Sequence, residues 1–225
     1  MPTAPPRNRT LAATALALAG TLALSGCGSS GGHHPDAAAG PSISQESADS
    51  PYRGTETSTP FTKPALVLDG PGGKPFDLRE QTTGRTVLLF FGYSNCPDIC
   101  PTTLGDVAQA LDKQPRQVRD KTQVVFITTD PERDTPASLD TWLDAFSPSF
   151  TGLSGDLDQV KKAALKVGIA IEDPKKHHDG TVTSDHGAQV LAFTPDGKGS
   201  VVYTGGTTID DFAHDLPLLA NNARS

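Results

Sequence analysis

From Phe61 onward, short apolar runs alternate with longer stretches in which apolar residues recur every three or four positions. The continuous run at residues 86–91 is typical of a strand that is buried on both faces of a sheet. Glycine- and proline-rich turns at 70–73 and 195–197 each separate two short runs, which predicts two β-hairpins. Strands are predicted at residues 65–68, 75–78, 86–91, 124–128, 169–172, 190–193 and 201–203.

Helical spacing of apolar residues predicts four helices. Pro115 ends the first of them, and Thr135 followed by Pro136 supplies a capping hydroxyl and a proline at the first helical position of the second. The predicted helices cover residues 102–114, 135–146, 156–167 and 208–221. Strands alternate with helices early in the chain and a hairpin comes late, so we predict an α/β fold, a thioredoxin-like mixed sheet flanked by helices. The aromatic residues at core spacing are interpreted as packing residues, namely Phe90, Phe91, Phe126, Trp142, Phe146 and Phe193.

The N-terminus has the pattern of a secretory signal. Arg7 and Arg9 precede an Ala- and Leu-rich run at 11–24, which is shorter than the roughly 20 apolar residues of a membrane span. The run ends in L-S-G-C, which resembles the bacterial lipobox, where cleavage precedes a cysteine that is then acylated. We therefore predict a lipoprotein signal peptide at residues 1–26 and a lipidated Cys27 on the extracytoplasmic face of the bacterial cell membrane. The alternative is an ordinary signal peptide with an incidental cysteine.

Residues 27–60 are rich in Gly, Ser, Ala, Pro and Thr and contain few large apolar side chains, which predicts a flexible tether. His33 and His34 within it are either solvated or accessory metal ligands. Residues 61–225 are long enough to form one domain with its own core. The formal net charge is −7, and removal of Arg7 and Arg9 with the signal makes it about −9, which disfavours nucleic-acid binding.

The chain has three cysteines, and acylation of Cys27 would leave Cys96 and Cys100 in a C-x-x-x-C motif. Such a pair serves either redox chemistry or metal binding. The motif lies where a buried strand meets a helix, and the field of a helix N-terminus lowers the pKa of a thiol. Helical neighbours four residues apart have Cβ atoms about 5–6 Å apart, which suits a bridging metal better than a disulfide. A reversible disulfide between Cys96 and Cys100 remains the alternative.

A third ligand is needed to complete a metal site. The only methionine is Met1, within the signal, so a Met-rich site and a blue-copper site with axial Met are excluded. His177 and His178 lie in a polar loop, where they are either exposed or collect copper for the main site. His214 falls in the last helix, where a surface or capping role is expected. His186 directly precedes a strand and is the preferred ligand, with zinc as the competing metal.

Three motifs together carry a family resemblance. They are C-P-D-I-C-P-T-T-L from Cys96, D-P-E-R-D-T-P from Asp130, and the pair Asp185-His186. In this order, the chain resembles the Sco/SenC family over about residues 61–221. The resemblance implies a thioredoxin-like fold that binds one copper ion, Cu(I) or Cu(II), through Cys96, Cys100 and His186.

The resemblance also implies a function in assembly of cytochrome c oxidase. Members deliver copper to the binuclear copper site of oxidase subunit II, act as thiol reductant for its cysteines, or do both. Other extracytoplasmic copper chaperones are further candidate partners. Membrane contact is expected through the lipid anchor alone. Gly187 departs from the small or polar residue, such as Ser, that usually follows the family's His, and it is expected to loosen this loop.

Two questions stay open at the level of sequence. Asp130, Arg133 and Asp134 either fix a loop or form a charged surface that docks a partner. The chain is either a copper-binding chaperone or an extracytoplasmic thiol-disulfide oxidoreductase or peroxidase that uses Cys96 and Cys100. Loss of function on replacing His186 would favour the chaperone. A lipoprotein that only scaffolds partners is a third interpretation, but it gives the thiols no task.

Overall fold

A six-stranded mixed sheet is the centre of the computed structural model, which describes residues 50–179, 181–184 and 186–222. The strands are β1 (Thr55–Thr62), β2 (Val67–Asp69), β3 (Pro75–Asp77), β4 (Thr86–Gly92), β5 (Thr122–Thr128), β6 (Thr151–Leu153), β7 (Lys175–Lys176), β8 (Val182–Thr183), β9 (Val190–Phe193) and β10 (Lys198–Tyr203). The helices are α1 (Ile99–Asp112), α2 (Arg116–Lys121), α3 (Pro136–Asp144), α4 (Leu157–Leu165) and α5 (Ile209–Asn221), with a 3-10 turn at Pro71–Gly73.

The predicted signal peptide, Cys27, His33, His34 and most of the predicted tether lie outside the described residues, as does Asp185. Within the described residues, no helix combines the length and the apolar character needed to cross a membrane.

The strand order is β1-β10-β9-β4-β5-β6. β4, β5 and β6 run parallel, whereas β9 pairs antiparallel with β4, and β10 and β1 continue the antiparallel half. β2 with β3 and β7 with β8 form separate hairpins. β4 is therefore a central strand with parallel and antiparallel neighbours, and every one of its residues is buried.

The alternation of side chains along β4 divides the interior into two cores. Leu88 and Phe90 point to the face covered by α1, α3 and α5, while Val87, Leu89 and Phe91 point to the face covered by α4 and the β2–β3 hairpin. Burying each such side chain contributes about 1.5–3 kcal/mol. Helices on both faces of a mixed sheet confirm the predicted thioredoxin-like α/β fold.

The predicted element types are confirmed for both hairpins, for the strands at β4 and β5, and for four helices. Thr135 caps α3 by accepting a hydrogen bond from the Ser138 amide at 3.3 Å. Thr208 and Asp211 form a reciprocal capping box at the start of α5.

Several boundaries differ from the prediction. The domain does not start at Phe61, because Tyr52 is already buried and β1 begins at Thr55. The strand predicted at residues 169–172 is wrong, since Ile171 makes only an isolated bridge with His186. β6 and α2 were not predicted, and α1 begins at Ile99 rather than at residue 102. β1 resembles a tether in sequence because it is an edge strand rich in threonine.

A buried carboxylate fastens the start of the domain to its last helix. Asp215 of α5 is fully buried and accepts hydrogen bonds from the backbone amides of Arg53 and Gly54, each at 2.9 Å. It also accepts from the Tyr203 hydroxyl at 3.0 Å and from His214 Nδ1 at 2.8 Å. These donors satisfy the buried carboxylate, so the segment before β1 is held by charge-assisted hydrogen bonds.

Replacing Asp215 by Asn should destabilise the protein by about 2–4 kcal/mol, because an amide NH₂ would then face backbone N–H donors in a buried site. Urea unfolding measures the change. Asp210→Asn on the same helix is the control, since Asp210 is exposed and pairs with Lys113 at the surface. Equal effects of the two substitutions would contradict the anchoring role of Asp215.

Candidate metal centre

The thiol pair and the imidazole meet at one end of the central strand. β4 ends at Gly92, and the connection to α1 carries Cys96, while Cys100 lies in the first turn of α1. β9 begins beside this end of β4, because Phe90 pairs with Val190 in antiparallel register. His186 precedes β9 by four residues, so the sheet brings together residues that are 86 positions apart in sequence.

Two of the three predicted ligands are in direct contact. Cys100 Sγ lies 4.0 Å from His186 Nε2. Cys96 Sγ accepts a hydrogen bond from the Cys100 amide at 3.4 Å, and neither cysteine is in a disulfide. Within the described residues, no three His, Cys, Asp or Glu side chains already surround a common ion position. Cys96 and His186 line the same cleft, so the three candidate donors are adjacent without enclosing an ion position.

Local contacts set the orientation of the His186 ring. Nδ1 lies 3.1 Å from the Gly187 carbonyl oxygen, which can only accept, so Nδ1 is the protonated nitrogen. In the neutral ring, Nε2 then presents a lone pair on the side of Cys100. Tyr93 and Phe90 pack edge-on against the ring, with centroids 5.9 Å and 6.4 Å away. This arrangement of a metal-binding imidazole, with the distal nitrogen on a carbonyl, is a common one in proteins.

Gly92 makes room for the Cys100 thiol. A Cβ at Gly92 would lie 2.8 Å from Cys100 Sγ and 2.8 Å from Phe126 Cε2, closer than real Cβ contacts. The thiol consequently packs against the backbone at the end of β4, where the Cys100 side chain is 0% exposed. Any side chain at position 92 would displace the sulfur.

Burial decides the protonation of Cys100. Loss of solvation raises the pKa of its thiol well above the usual range, and the Cys96 side chain and the Asp134 carboxylate raise it further. The expected lowering of this pKa by the helix N-terminus is therefore wrong for Cys100, because desolvation outweighs the helix field. Metal binding would have to displace the proton, which couples affinity to pH.

A cleft of about 300 Å³ opens on the site from solvent. Cys96, Pro97 and Ile99 form one side, and Ser184, His186 and Ala188 form the other. Cys96 and His186 line the cleft, whereas Cys100 lies behind them. An ion at this site would thus be bound from within by Cys100 and be reachable through Cys96 and His186.

Comparison with known proteins identifies the family. The model of the SCO1/SenC family matches residues 66–221. The chain belongs to this family. It is 33% identical over 161 residues to a protein of Stutzerimonas stutzeri named as copper-binding, covering 72% of this chain and 78% of that one.

Solved Sco structures agree with the fold. Apo Sco1 from Thermus thermophilus superposes with a TM-score of 0.67 at 35% identity, covering 75% of this chain and 96% of that one. Yeast Sco1 with copper bound superposes with a TM-score of 0.63 at 29% identity, covering 70% and 87%. The alignment spans about half the length of the mitochondrial SCO1 protein of Saccharomyces cerevisiae.

The D-P-E-R-D-T-P segment of this Sco chain fixes the loop beside the site. Asp134 is 1% exposed and accepts hydrogen bonds from the Ser94 amide at 2.9 Å, the Ser94 hydroxyl, and the Thr128 hydroxyl at 2.6 Å. It thereby ties the loop that carries Cys96 to the end of β5. The carboxylates of Asp130 and Asp134 are buried, which favours the loop-fixing interpretation for both.

Arg133 forms an ion pair with Asp130 and also donates from Nη2 to the Val182 carbonyl at 3.4 Å. The hydrogen bond to Val182 connects the loop after β5 to the β7–β8 hairpin, which precedes His186 in the chain. Arg133 remains partly exposed, with 31% of its side chain accessible. Its bonds make it a loop-fixing residue in this structure.

The other histidines of the described residues have separate surroundings. His177 and His178 are exposed on the β7–β8 hairpin, as expected, and His177 Nε2 lies 2.9 Å from the Thr183 hydroxyl. His214 is half-exposed beside Asp215. Sequence reasoning missed Tyr93, which packs against His186, and Ser94, which bonds to Asp134. Their position just before Cys96, in G-Y-S-N-C, was the available signal.

The burial of Cys100 predicts unequal thiol reactivity. In the reduced protein at about pH 8, iodoacetamide should alkylate Cys100 at least about tenfold more slowly than Cys96, because Cys100 is shielded and its raised pKa keeps it protonated. The Cys100 rate should increase as the pH is raised. Peptide mass spectrometry resolves the two sites, and unfolding in urea should make the rates similar. Faster alkylation of Cys100 in the folded protein would contradict this account.

The role of Asp134 predicts a large cost for its removal. Asp134→Asn should destabilise the protein by about 2–3 kcal/mol, since the buried Ser94 and Thr128 donors lose their charged acceptor. Chemical denaturation gives the value. Glu132→Gln, an exposed change in the same loop, should have little effect. If both variants are as stable as the parent, Asp134 does not fix the loop.

Proposed function

We propose that this protein is a copper metallochaperone that binds one copper ion through Cys96, Cys100 and His186 and serves assembly of cytochrome c oxidase. The carrying observation is the 4.0 Å approach of Cys100 Sγ to His186 Nε2 behind a cleft that Cys96 and His186 line. Membership of the SCO1/SenC family and the copper-bound Sco structures support the choice of metal.

The donor set suits copper. Thiolate sulfur is a soft ligand that selects Cu(I), and an imidazole nitrogen allows Cu(II) to bind as well. Zinc accepts the same donors, but the Irving–Williams order places copper above it for equal ligands. When bound, copper is the cargo that the protein carries. The chain's own residues supply a shielded thiol in Cys100 and two accessible donors in Cys96 and His186.

Access to the cleft suits metal transfer. A ligand from an acceptor protein can approach the ion beside Cys96 and His186, the two donors that line the cleft, before the buried Cys100 thiolate releases it. The acceptor we propose is the binuclear copper site of oxidase subunit II. Reduction of a disulfide between the acceptor's cysteines, with Cys96 and Cys100 oxidised to a disulfide in exchange, is part of the same proposal. Other extracytoplasmic copper chaperones are the proposed donors.

We also propose that the protein acts at the extracytoplasmic face of a bacterial membrane. The support is the signal-like sequence of residues 1–26 and the lipobox-like L-S-G-C that ends in Cys27. A SCO1/SenC family lipoprotein of Bacillus anthracis has the same fold. Acylation of Cys27 would anchor the domain without a membrane-spanning helix.

A copper titration tests the site. Reduced protein receives one equivalent of Cu(II) without oxygen, and visible absorption is recorded for the parent, His186→Ala and His178→Ala. The parent should show strong sulfur-to-copper bands, and His186→Ala should lose or shift them because one of the three donors is gone. His178→Ala is the matched control and should retain them, since His178 is exposed.

The opposite result has a definite meaning. If no bands form and the thiols oxidise to a disulfide equally well in the parent and in His186→Ala, the metal site is refuted. The thiol-disulfide oxidoreductase, with Cys96 and Cys100 as its redox pair, would then be the better function.

A further inference from the structure

A second pocket lies at the end of the sheet opposite the thiols. It occupies about 520 Å³ between the segment before β4 and the β9–β10 turn. Lys63 and Arg79 line it together with Thr62, Thr83, Pro195, Asp196 and Gly197. The pocket lies at this end of the sheet because β4 and β10 both start beside it and run toward the candidate metal centre.

Lys63 is a buried cation that lacks a carboxylate partner. Its side chain is 4% exposed, and Nζ donates to the Thr82 carbonyl at 3.1 Å and to the Thr82 hydroxyl. That hydroxyl donates in turn to the Leu78 carbonyl, so it accepts from Lys63. Within the described residues no acid pairs with Lys63, and two of its three N–H donors are used. Fully buried lysines are rare unless they are paired.

Arg79 adds a second positive charge. Its Nε donates to the Lys63 carbonyl at 2.7 Å, and the part of the chain that the structure describes offers its guanidinium no ion pair. Asp196 is the one acid that lines the pocket, and its carboxylate accepts from the Thr194 hydroxyl at 2.6 Å and faces Lys198 Nζ at 3.5 Å. The Asp196 carboxylate is thus bound to residues of the β9–β10 turn rather than to Lys63 or Arg79.

We propose that this pocket binds a small oxyanion of phosphate chemistry, held between the Lys63 ammonium and the Arg79 guanidinium. An anion there would supply a counter-charge to the buried Lys63, through charge-assisted hydrogen bonds from its free N–H and from the terminal nitrogens of the exposed Arg79. The source is either inorganic phosphate or the headgroup of an anionic lipid. Independently, burial and the neighbouring Arg79 lower the pKa of Lys63 to about 8, as expected for an unneutralised ammonium.

Calorimetric titration of the full-length protein tests the proposal with two probes, inorganic phosphate and glycerophosphoglycerol, the soluble headgroup of an anionic lipid. Arg79→Gln should weaken binding about tenfold or more, because charged hydrogen bonds are lost. Lys63→Met, which keeps the length of the buried side chain, should abolish binding. Arg119→Gln makes the same charge change on exposed α2, outside the pocket, and should bind like the parent.

Each outcome decides the proposal. One-to-one binding of phosphate that depends on Arg79 supports a free oxyanion, whereas tighter binding of the headgroup with the same dependence supports a lipid source. Heat-unfolding curves in phosphate and in chloride at matched ionic strength give a second readout, since a ligand of the native state raises the unfolding temperature. Absence of binding by either probe, or binding that Arg79→Gln and Arg119→Gln weaken equally, overturns it.

Discussion

The antiparallel pairing of β4 with β9 is the constraint on which the site depends. β4 runs toward the thiol loop and β9 starts from the same end, so the register that pairs Phe90 with Val190 places His186 over Cys100. A slip of one residue would turn every side chain of β9 to the opposite face. β4 cannot slip, because all its residues are buried and each face of the strand belongs to a different core.

Two buried carboxylates stabilise this arrangement without buried counter-ions. Asp134 fastens the thiol loop to β5, and Asp215 fastens the segment before β1 to α5. Each accepts hydrogen bonds from backbone N–H and side-chain O–H donors, which satisfy a carboxylate in the interior without a second buried charge. Near the thiols, the Asp134 charge has a further effect: together with desolvation, it raises the pKa of Cys100.

The fold and the thiol pair of the proposed metal site could be predicted from sequence because each has a local signature. A continuously apolar β4, proline and threonine at the start of α3, and the spacing of Cys96 and Cys100 are patterns of a few residues. β1 was missed because an edge strand buries little, and its threonines resemble those of a tether. The burial of Asp134 and of Lys63 depends on contacts with Ser94 and Thr82, which lie 40 and 19 residues away in sequence, and no local pattern encodes such contacts.

The effect of Gly187, which differs from the residue that usually follows the family's His, depends on its contacts in the fold. Its lack of a side chain was expected to loosen the loop, yet the loop is tied by the bridge between His186 and Ile171 and by a hydrogen bond from the Gly187 amide to Ala170. A Cβ at Gly187 would lie 2.1 Å from Gln189 Oε1, so glycine makes room for that side chain. Gly187 also supplies the carbonyl that orients the imidazole. The backbone, rather than the side chain at this position, therefore determines where Nε2 points, and a small residue here is compatible with a fixed ligand.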